Sequence, residues 1–194
     1  MRGKLIVFEG LDKTGKSTCI ESLSAYLNAD DIEHVIFKFP NSNSQTGGII
    51  KSVGNGLTDL HPKAMHLIFS ANRWEQVDNI KAYLDNGINV ICDRYFYSGI
   101  AYSVGRYNLD LDWCCSTEEG LILPDIVFYF TASIDTMIQR GFGSDAFESR
   151  ESVSNINGVY LKMKSFDRWR IINGNKSVED VVHQVLRSLK NFLK

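Results

Sequence analysis

The sequence predicts an α/β protein in which a parallel sheet of about five strands is covered by helices on both faces. Short apolar runs rich in β-branched and aromatic residues recur along the 194 residues, and segments with helical spacing separate them. Strands that alternate with helices in this way pair in parallel through right-handed crossovers. Because no repeat, low-complexity tract or linker interrupts the alternation, we expect a single domain over residues 1–194.

The predicted strands are short and strongly apolar. The first of them, KLIVF, shows no alternation with polar residues, which is typical of a strand buried on both faces of a parallel sheet. HVIFKF, INVIC and DIVFYF share this character, and a further strand follows near the C-terminal end of the sequence. The five predicted strands cover residues 4–8, 34–39, 88–92, 125–130 and 169–173.

Four segments carry the apolar spacing of amphipathic helices. Gly87 follows the second of them, where a left-handed helix cap is expected, and Ser177 with Asp180 forms a capping signal for the last. The predicted helices cover residues 17–27, 62–86 with a break near Asn72, 134–140 and 177–193.

The composition excludes several classes of partner. With 21 basic and 23 acidic residues the net charge is −2, so there is no basic excess that would indicate binding to nucleic acid or to an anionic membrane. No apolar run approaches the ~20 residues of a membrane span or forms a signal sequence. The four cysteines show no CxxC spacing, which favours reduced thiols and a cytoplasmic location, with the nucleus as the alternative.

A glycine-rich stretch, GLDKTGKS, matches the phosphate-loop pattern GxxxxGK[ST] between a predicted strand and a predicted helix. Its glycines allow backbone amides to surround phosphate oxygens at a helix N-terminus. Lys16 is expected to reach the β and γ phosphates, and the Ser17 hydroxyl is expected to bind Mg²⁺. The stretch therefore predicts binding of ATP or GTP with Mg²⁺, on the three-layer fold of the P-loop NTPases.

A second candidate site follows the strand INVIC, where Asp93 and Arg94 come directly after it. In open parallel sheets, ligands bind outside the carboxyl ends of the strands, so these side chains are expected in the same crevice as the phosphate loop. A carboxylate there suits Mg²⁺, and an arginine suits a phosphate monoester. An isolated acid and arginine would more commonly be a surface pair, but their position after a strand favours the site.

HLIFSANRWE provides a third candidate. Phe69 and Arg73 are four residues apart and would share a helix face, which suits stacking on a base and hydrogen bonding to its edge. The other apolar residues of this stretch fit simple packing of a helix on the sheet.

The polar segment of residues 141–158, rich in glycine and serine, is expected to be a lid loop. Together these features imply two nucleotides bound head to head.

FEGLDKTGKST, KFPNS, HLIFSANRWEQV, CDRYFYSGIAY and LPDIVFYF resemble, in order and spacing, the thymidylate kinases, which phosphorylate dTMP with ATP. The matching segments run from Phe8 to about Asp180. Deoxynucleoside kinases share the fold, but their signature typically begins with a glutamate where this chain has Asp93. A kinase of thymidine, and a broader monophosphate kinase that also uses dGMP or dUMP, remain alternatives.

The resemblance assigns a role to each matching residue. It implies an adenine side formed by Arg140 and the segment 173–176, and a lid acid at Glu148. Asp12 would bond the deoxyribose 3′ hydroxyl, Arg94 the dTMP phosphate, and Tyr102 would leave little room for a ribose 2′ hydroxyl. The implied ATP and Mg²⁺ contacts are Gly10, Thr14, Gly15, Lys16, Ser17, Thr18, Arg140, Asn175, Lys176 and Asp93; the implied dTMP contacts are Asp12, Phe39, Phe69, Arg73, Arg94, Ser98, Gly99, Tyr102, Phe147 and Glu148.

Three positions depart from the family pattern. Ser42 stands where many members have the arginine of FPxR, Lys13 stands where a catalytic arginine is common, and Phe147 replaces the lid tyrosine. Since arginine and lysine are not interchangeable at bidentate sites, the catalytic cation is expected from Lys13 or from Arg150 in the lid. Ser42 and Phe147 also leave open a weakly active homologue that only binds nucleotides.

The resemblance also implies a homodimer, with the helices that carry Leu67 and Trp74 as contacts, although both residues fit a core equally well.

Overall fold

A five-stranded parallel sheet with helices on both faces forms the framework, as the sequence predicts. The computed structural model describes residues 1–142, 150–164, 168–190 and 192. The strands are β1 (Leu5–Gly10), β2 (His34–Lys38), β3 (Asn89–Asp93), β4 (Ile126–Thr131) and β5 (Trp169–Asn173). The helices are α1 (Lys16–Ala29), α2 (Gln45–Gly54), α3 (Pro62–Trp74), α4 (Val77–Asp85), α5 (Phe96–Tyr107), α6 (Leu111–Ser116), α7 (Ile134–Gln139), α8 (Arg150–Met163) and α9 (Val178–Leu189).

The strand order β2-β3-β1-β4-β5 places β1 at the centre of the sheet. All six residues of β1 are buried, which explains why its sequence is an unbroken apolar run apart from Glu9. The chain crosses from β3 over β1 to β4, so the order of strands switches beside β1. Phe8 pairs with Asp93 and Gly10 with Phe130, so the residues that follow these strands meet at one edge. A ligand crevice is expected at such a switch point.

Two apolar clusters cover the two faces of the sheet. One contains buried residues of α4, α5 and α8, and the other contains buried residues of α1 and α9. The last helix uses Val181, Val182, Val185 and Leu189, which supports the predicted amphipathic pattern, and Ser177 caps it by accepting a hydrogen bond from the Asp180 amide. None of the helices within the described ranges is long and apolar enough to cross a membrane.

The predicted loop at 141–158 is wrong for its second half, because residues 150–158 lie in α8. Val153, Ile156 and Tyr160 are buried at helical spacing against α5. Gly105 makes this contact possible, since a Cβ there would come within 2.7 Å of the Ile156 backbone. Residues 143–149, with the predicted lid residues Phe147 and Glu148, lie outside the described part of the chain.

Ser98 and Gly99, which the resemblance implies as dTMP contacts, lie in the first turn of α5. This helix is rich in aromatic and small residues and was not predicted as an element. The interruption expected near Asn72 in the predicted helix 62–86 is present, but it lies three residues later. There α3 ends at Trp74 and α4 begins at Val77. Gly87 has a φ of 83°, which confirms the predicted left-handed position after α4.

Candidate active site

The phosphate loop connects β1 directly to α1, and its glycines are required by the geometry. Gly10 and Gly15 have φ values of 134° and 100°, in the region that side chains disfavour. A Cβ at Gly10 would also lie 2.3 Å from the carbonyl oxygen of Phe130 on the neighbouring strand. Only glycine therefore lets the chain leave the centre of the sheet here and turn into the N-terminus of a helix.

Lys16 is buried beneath this loop, with 5% of its surface exposed. Its ammonium group donates hydrogen bonds to the carbonyl oxygens of Gly10 at 3.0 Å and Leu11 at 2.6 Å. Burial, and after it the charge of Arg94, lowers the pKa of Lys16 to about 7. An arriving phosphate would favour the charged form, so we expect binding of a polyphosphate to restore the proton.

The Ser17 hydroxyl lies at the helix N-terminus and donates a hydrogen bond to Asp93 at 2.9 Å. This hydroxyl and this carboxylate are hard oxygen donors of the kind that Mg²⁺ prefers. Within the described ranges, no group of three or more His, Cys, Asp or Glu side chains could hold a metal ion. The donor set therefore fits a Mg²⁺ ion whose other ligands are phosphate oxygens and water, as is usual for this cation.

Arg94 joins the phosphate loop to α5. Its guanidinium donates to the Gly10 carbonyl at 2.9 Å, to the Ser98 hydroxyl at 3.0 Å and to the Asp12 carboxylate at 2.7 Å. The backbone of Arg94 is left-handed, with a φ of 69°, which is a strained conformation for a residue with a side chain. The three partners hold the guanidinium at the carboxyl edge of the sheet.

Asp12 is held by two donors. It accepts hydrogen bonds from Arg94 and, at 3.2 Å, from the Tyr102 hydroxyl. Burial alone would raise the pKa of Asp12, but the positive charges of Arg94 and Lys16 outweigh it and leave the pKa below its usual value. Asp12 is therefore an ionised acceptor, and half of its side-chain surface remains exposed.

Glu9 is a buried acid that the sequence reasoning missed. Its carboxylate accepts hydrogen bonds from the backbone amides of Tyr95 and Ser98 and from the hydroxyls of Ser98 and Tyr160. Burial raises the pKa of Glu9, although the Ser98 hydroxyl, the charge of Arg94, the Tyr95 amide and the Tyr160 hydroxyl oppose the effect. The only sequence signal is a carboxylate inside an apolar strand. Glu9 ties α5 and α8 to the base of the phosphate loop.

One cavity of about 300 Å³ opens between α2, α3 and α5. Phe69 and Arg73 both line it from the same face of α3, as the spacing predicts, and Phe39 lines it as well. Arg73 donates from Nε to Glu118 at 2.9 Å and from Nη2 to the same carboxylate. The structure brings together in this cavity all the predicted acceptor residues that it describes: Asp12, Phe39, Phe69, Arg73, Arg94, Ser98, Gly99 and Tyr102.

A second cavity, of about 530 Å³, lies over the phosphate loop. Arg140 closes one side of it, because its guanidinium donates to the carbonyls of Lys13 at 3.3 Å and Gly174 at 2.8 Å. Asn175 does not line this cavity; its side chain accepts a hydrogen bond from the Ser133 amide. The predicted residues that line it are Asp12, Lys13, Thr14, Gly15, Lys16, Ser17, Thr18, Asp93, Arg94, Arg140, Gly174 and Lys176.

Asp12 and Arg94 line both cavities, so the two spaces meet at this ion pair. Lys38, at the end of β2, also lines the larger cavity and was not predicted. Ser42 is exposed and lines neither. Nothing is described of the Arg150 side chain, although its backbone begins α8.

The comparisons with known proteins agree on one family. The family model described as thymidylate kinase matches residues 8–185. The chain is 38% identical to the thymidylate kinase of Dictyostelium discoideum over 186 residues, which covers 95% of this chain and 83% of the relative. It is 34% identical to the human thymidylate kinase, with 97% of this chain and 90% of the relative covered.

A solved structure supports the same relationship. The thymidylate kinase from Candida albicans, described as having broad substrate specificity, superposes with a TM-score of 0.89 at 29% sequence identity. The match covers 98% of this chain and 92% of the other.

Proposed function

The chain belongs to the thymidylate kinase family of phosphotransferases, and from the two joined cavities we propose that it transfers the γ-phosphoryl group of ATP to dTMP in a Mg²⁺-dependent reaction. The products are dTDP and ADP, and the reaction serves dTTP synthesis. The observation that carries the proposal is that a phosphate-loop cavity and a base-sized cavity share Asp12 and Arg94. A phosphate donor and a nucleotide acceptor bound in these cavities would face each other at that pair.

On the donor side, the phosphates lie over the amides of the phosphate loop, with Lys16 at the β and γ phosphates. Thr14, Gly15 and Thr18 line the same space, while Gly10 contributes its carbonyl to holding Lys16 and Arg94. The adenine end is assigned to Arg140 and Lys176. Asn175 acts indirectly by bonding the Ser133 amide at the start of α7.

Ser17 and Asp93 would hold Mg²⁺, which, when bound, would offset the negative charge of the phosphates. These two residues already meet at 2.9 Å, so little rearrangement is needed to present both oxygens to one ion.

On the acceptor side, Arg94 binds the dTMP phosphate and Asp12 accepts from the 3′ hydroxyl of the sugar. Tyr102 donates to Asp12 and limits the room for a ribose 2′ hydroxyl. The base stacks on Phe69 between the wall of Phe39 and the guanidinium of Arg73. This end of the cavity is mainly apolar, which suits a neutral pyrimidine.

The transfer is direct and in line, without a covalent enzyme intermediate. The acceptor phosphate, with a second pKa of about 6, is largely a dianion at neutral pH, so no strong general base is required. Positioning and charge stabilisation carry the catalysis. The additional cation comes from Lys13, which lies beside Gly141, or from Arg150. A lid that carries Phe147 and Glu148, ahead of α8, would exclude water from the transfer when it closes.

The assembly is proposed to be a homodimer. Leu67 and Trp74 on α3 are 48% and 38% exposed, so they are not the core residues that the sequence also allowed. Apolar side chains exposed on one helix are suited to contact with a second copy.

A cytoplasmic or nuclear location is proposed from the four unpaired cysteines.

A comparison of acceptors tests the proposal. ADP release is measured at saturating MgATP with dTMP, dUMP, dGMP or thymidine as the acceptor. We expect the highest kcat/KM for dTMP. Thymidine lacks the phosphate that Arg94 would bind, so it should not turn over. Turnover of thymidine without turnover of dTMP would contradict the proposal. A kcat/KM for dGMP within about tenfold of that for dTMP would favour the second candidate, a broader monophosphate kinase, which the specificity of the Candida albicans relative suggests.

A further inference from the structure

A buried ion pair lies behind the base end of the acceptor cavity. Glu118 follows α6 by two residues and is 6% exposed, and its carboxylate accepts from both Nε and Nη2 of Arg73. The two side chains are each 3% exposed. Arg73 lines the cavity, whereas Glu118 does not. Any influence of Glu118 on a bound nucleotide must therefore pass through Arg73.

The charge of Arg73 needs this partner. The walls of the cavity around the base are mainly apolar side chains such as Phe69, Met65 and Ile50, and a pyrimidine base carries no charge. An unpaired guanidinium in such surroundings is costly. His66 lies 4.0 Å from Glu118, but burial lowers its pKa, so the imidazole is neutral near pH 7 and does not compete for the carboxylate.

The guanidinium also lies close to α5, at Gly99. A Cβ at Gly99 would come within 2.6 Å of Nη2 and 2.9 Å of Nη1 of Arg73. Because Gly99 has no side chain, the guanidinium of Arg73 can occupy this position. Glu118 engages two of the five N–H donors of the arginine, which leaves three for other acceptors.

We propose that Glu118 is a positioning residue for base recognition: it neutralises Arg73 and holds its remaining N–H donors toward a carbonyl oxygen on the edge of the acceptor base. The inference rests on the proposed function, because it takes the cavity as the acceptor site. It implies selection for bases with a carbonyl at this edge over bases with an amino group, since the arginine donates only.

Glu118→Gln tests this role by removing the negative charge while keeping the shape of the side chain. We expect KM for dTMP to rise about tenfold, with kcat and KM for ATP each within about threefold of the wild type, because the phosphate end is held separately by Arg94. Glu119→Gln is the matched control: it makes the same substitution at the next, exposed residue, and all three constants should stay unchanged. An unchanged KM for dTMP in Glu118→Gln would overturn the inference.

A double-mutant cycle separates positioning from a general structural effect. Arg73→Met should raise KM for dTMP more than Glu118→Gln does. The double variant should match Arg73→Met alone, because without Arg73 there is nothing for Glu118 to position. The double variant also removes both charges of the buried pair, so neither charge is left unpaired, which favours folding. Additive increases in KM would show that Glu118 acts independently and would contradict the proposal.

If Glu118→Gln alone does not fold, Glu118→Asp replaces it. Aspartate keeps the charge but withdraws the carboxylate by one methylene, so a smaller rise in KM for dTMP is expected, and an unchanged KM would again overturn the inference.

The wild-type enzyme separates failure of the proposed function from failure of the role of Glu118. If it does not phosphorylate dTMP, the proposed function fails; if it does and the variants keep its KM, only the role of Glu118 fails.

Discussion

Replacing Arg94 with alanine is expected to lower kcat/KM for dTMP by about 10³-fold, a loss like that seen when a preorganised donor to a reacting oxygen is removed. Arg94 stands where the two cavities meet, and its hydrogen bonds to Gly10, Ser98 and Asp12 fix its guanidinium there. Alanine removes both the charge for the acceptor phosphate and one of the two donors that hold Asp12. Steady-state rates with dTMP and ATP varied separately provide the measurement.

The dissociation constant for ATP in Arg94→Ala should stay within about threefold, because Lys16 and the loop amides bind the donor phosphates. Arg94→Lys should recover only part of the activity, since lysine lacks the planar fork. Arg187→Ala, in the last turn of α9, is the control for loss of an exposed arginine and should have no effect. Equal losses for dTMP and ATP would contradict the assignment of Arg94 to the acceptor.

Replacing Lys16 with methionine should lower kcat by about 10³-fold, because its ammonium is the buried cation assigned to the β and γ phosphates. Methionine keeps much of the length and apolar stem, so the loop is expected to retain its fold. Lys81→Met is the matched control, since Lys81 is exposed and forms an ion pair with Asp85 on the same helix, away from both cavities. Retention of kcat in Lys16→Met would contradict the role of the loop lysine.

Proton uptake provides an independent readout for Lys16. Its pKa of about 7 in the free site means that the amine is mostly neutral at pH 8 and mostly charged at pH 6. Bound phosphates favour the charged form, so ATP binding at pH 8 should take up close to one proton from the buffer. Calorimetry in buffers of different ionisation enthalpy measures this number. The uptake should disappear in Lys16→Met and persist in Lys81→Met.

The elements that sequence could predict are those with a local signal. The sheet follows from apolar runs such as LIVF, and the phosphate loop from glycines whose φ values only glycine adopts readily. α5 was missed because its aromatic and small residues pack on two sides and show no polar face. α8 was missed because the serine, asparagine and glycine between its apolar residues are typical of loops. Tertiary contacts compensate for them, chiefly with α5 and through Tyr160 with Glu9.

The same distinction applies to the site. Arg94 and Asp93 could be predicted because they directly follow a strand, and Phe69 and Arg73 because their spacing places them on one helix face. Glu118 could not, since its partner is 45 residues away in sequence and nothing local distinguishes it from the exposed Glu119. Buried charged pairs of this kind are defined by tertiary contacts alone.

The central claim is that ATP and dTMP occupy the two cavities at once and react directly. The measurement that tests it is a grid of initial velocities in which both substrates are varied, with dTDP and ADP quantified together. We expect reciprocal plots that intersect and one dTDP formed for each ADP, as direct transfer in a ternary complex requires. Parallel lines, which indicate a phosphorylated enzyme intermediate, or ADP formed without dTDP, would contradict the account.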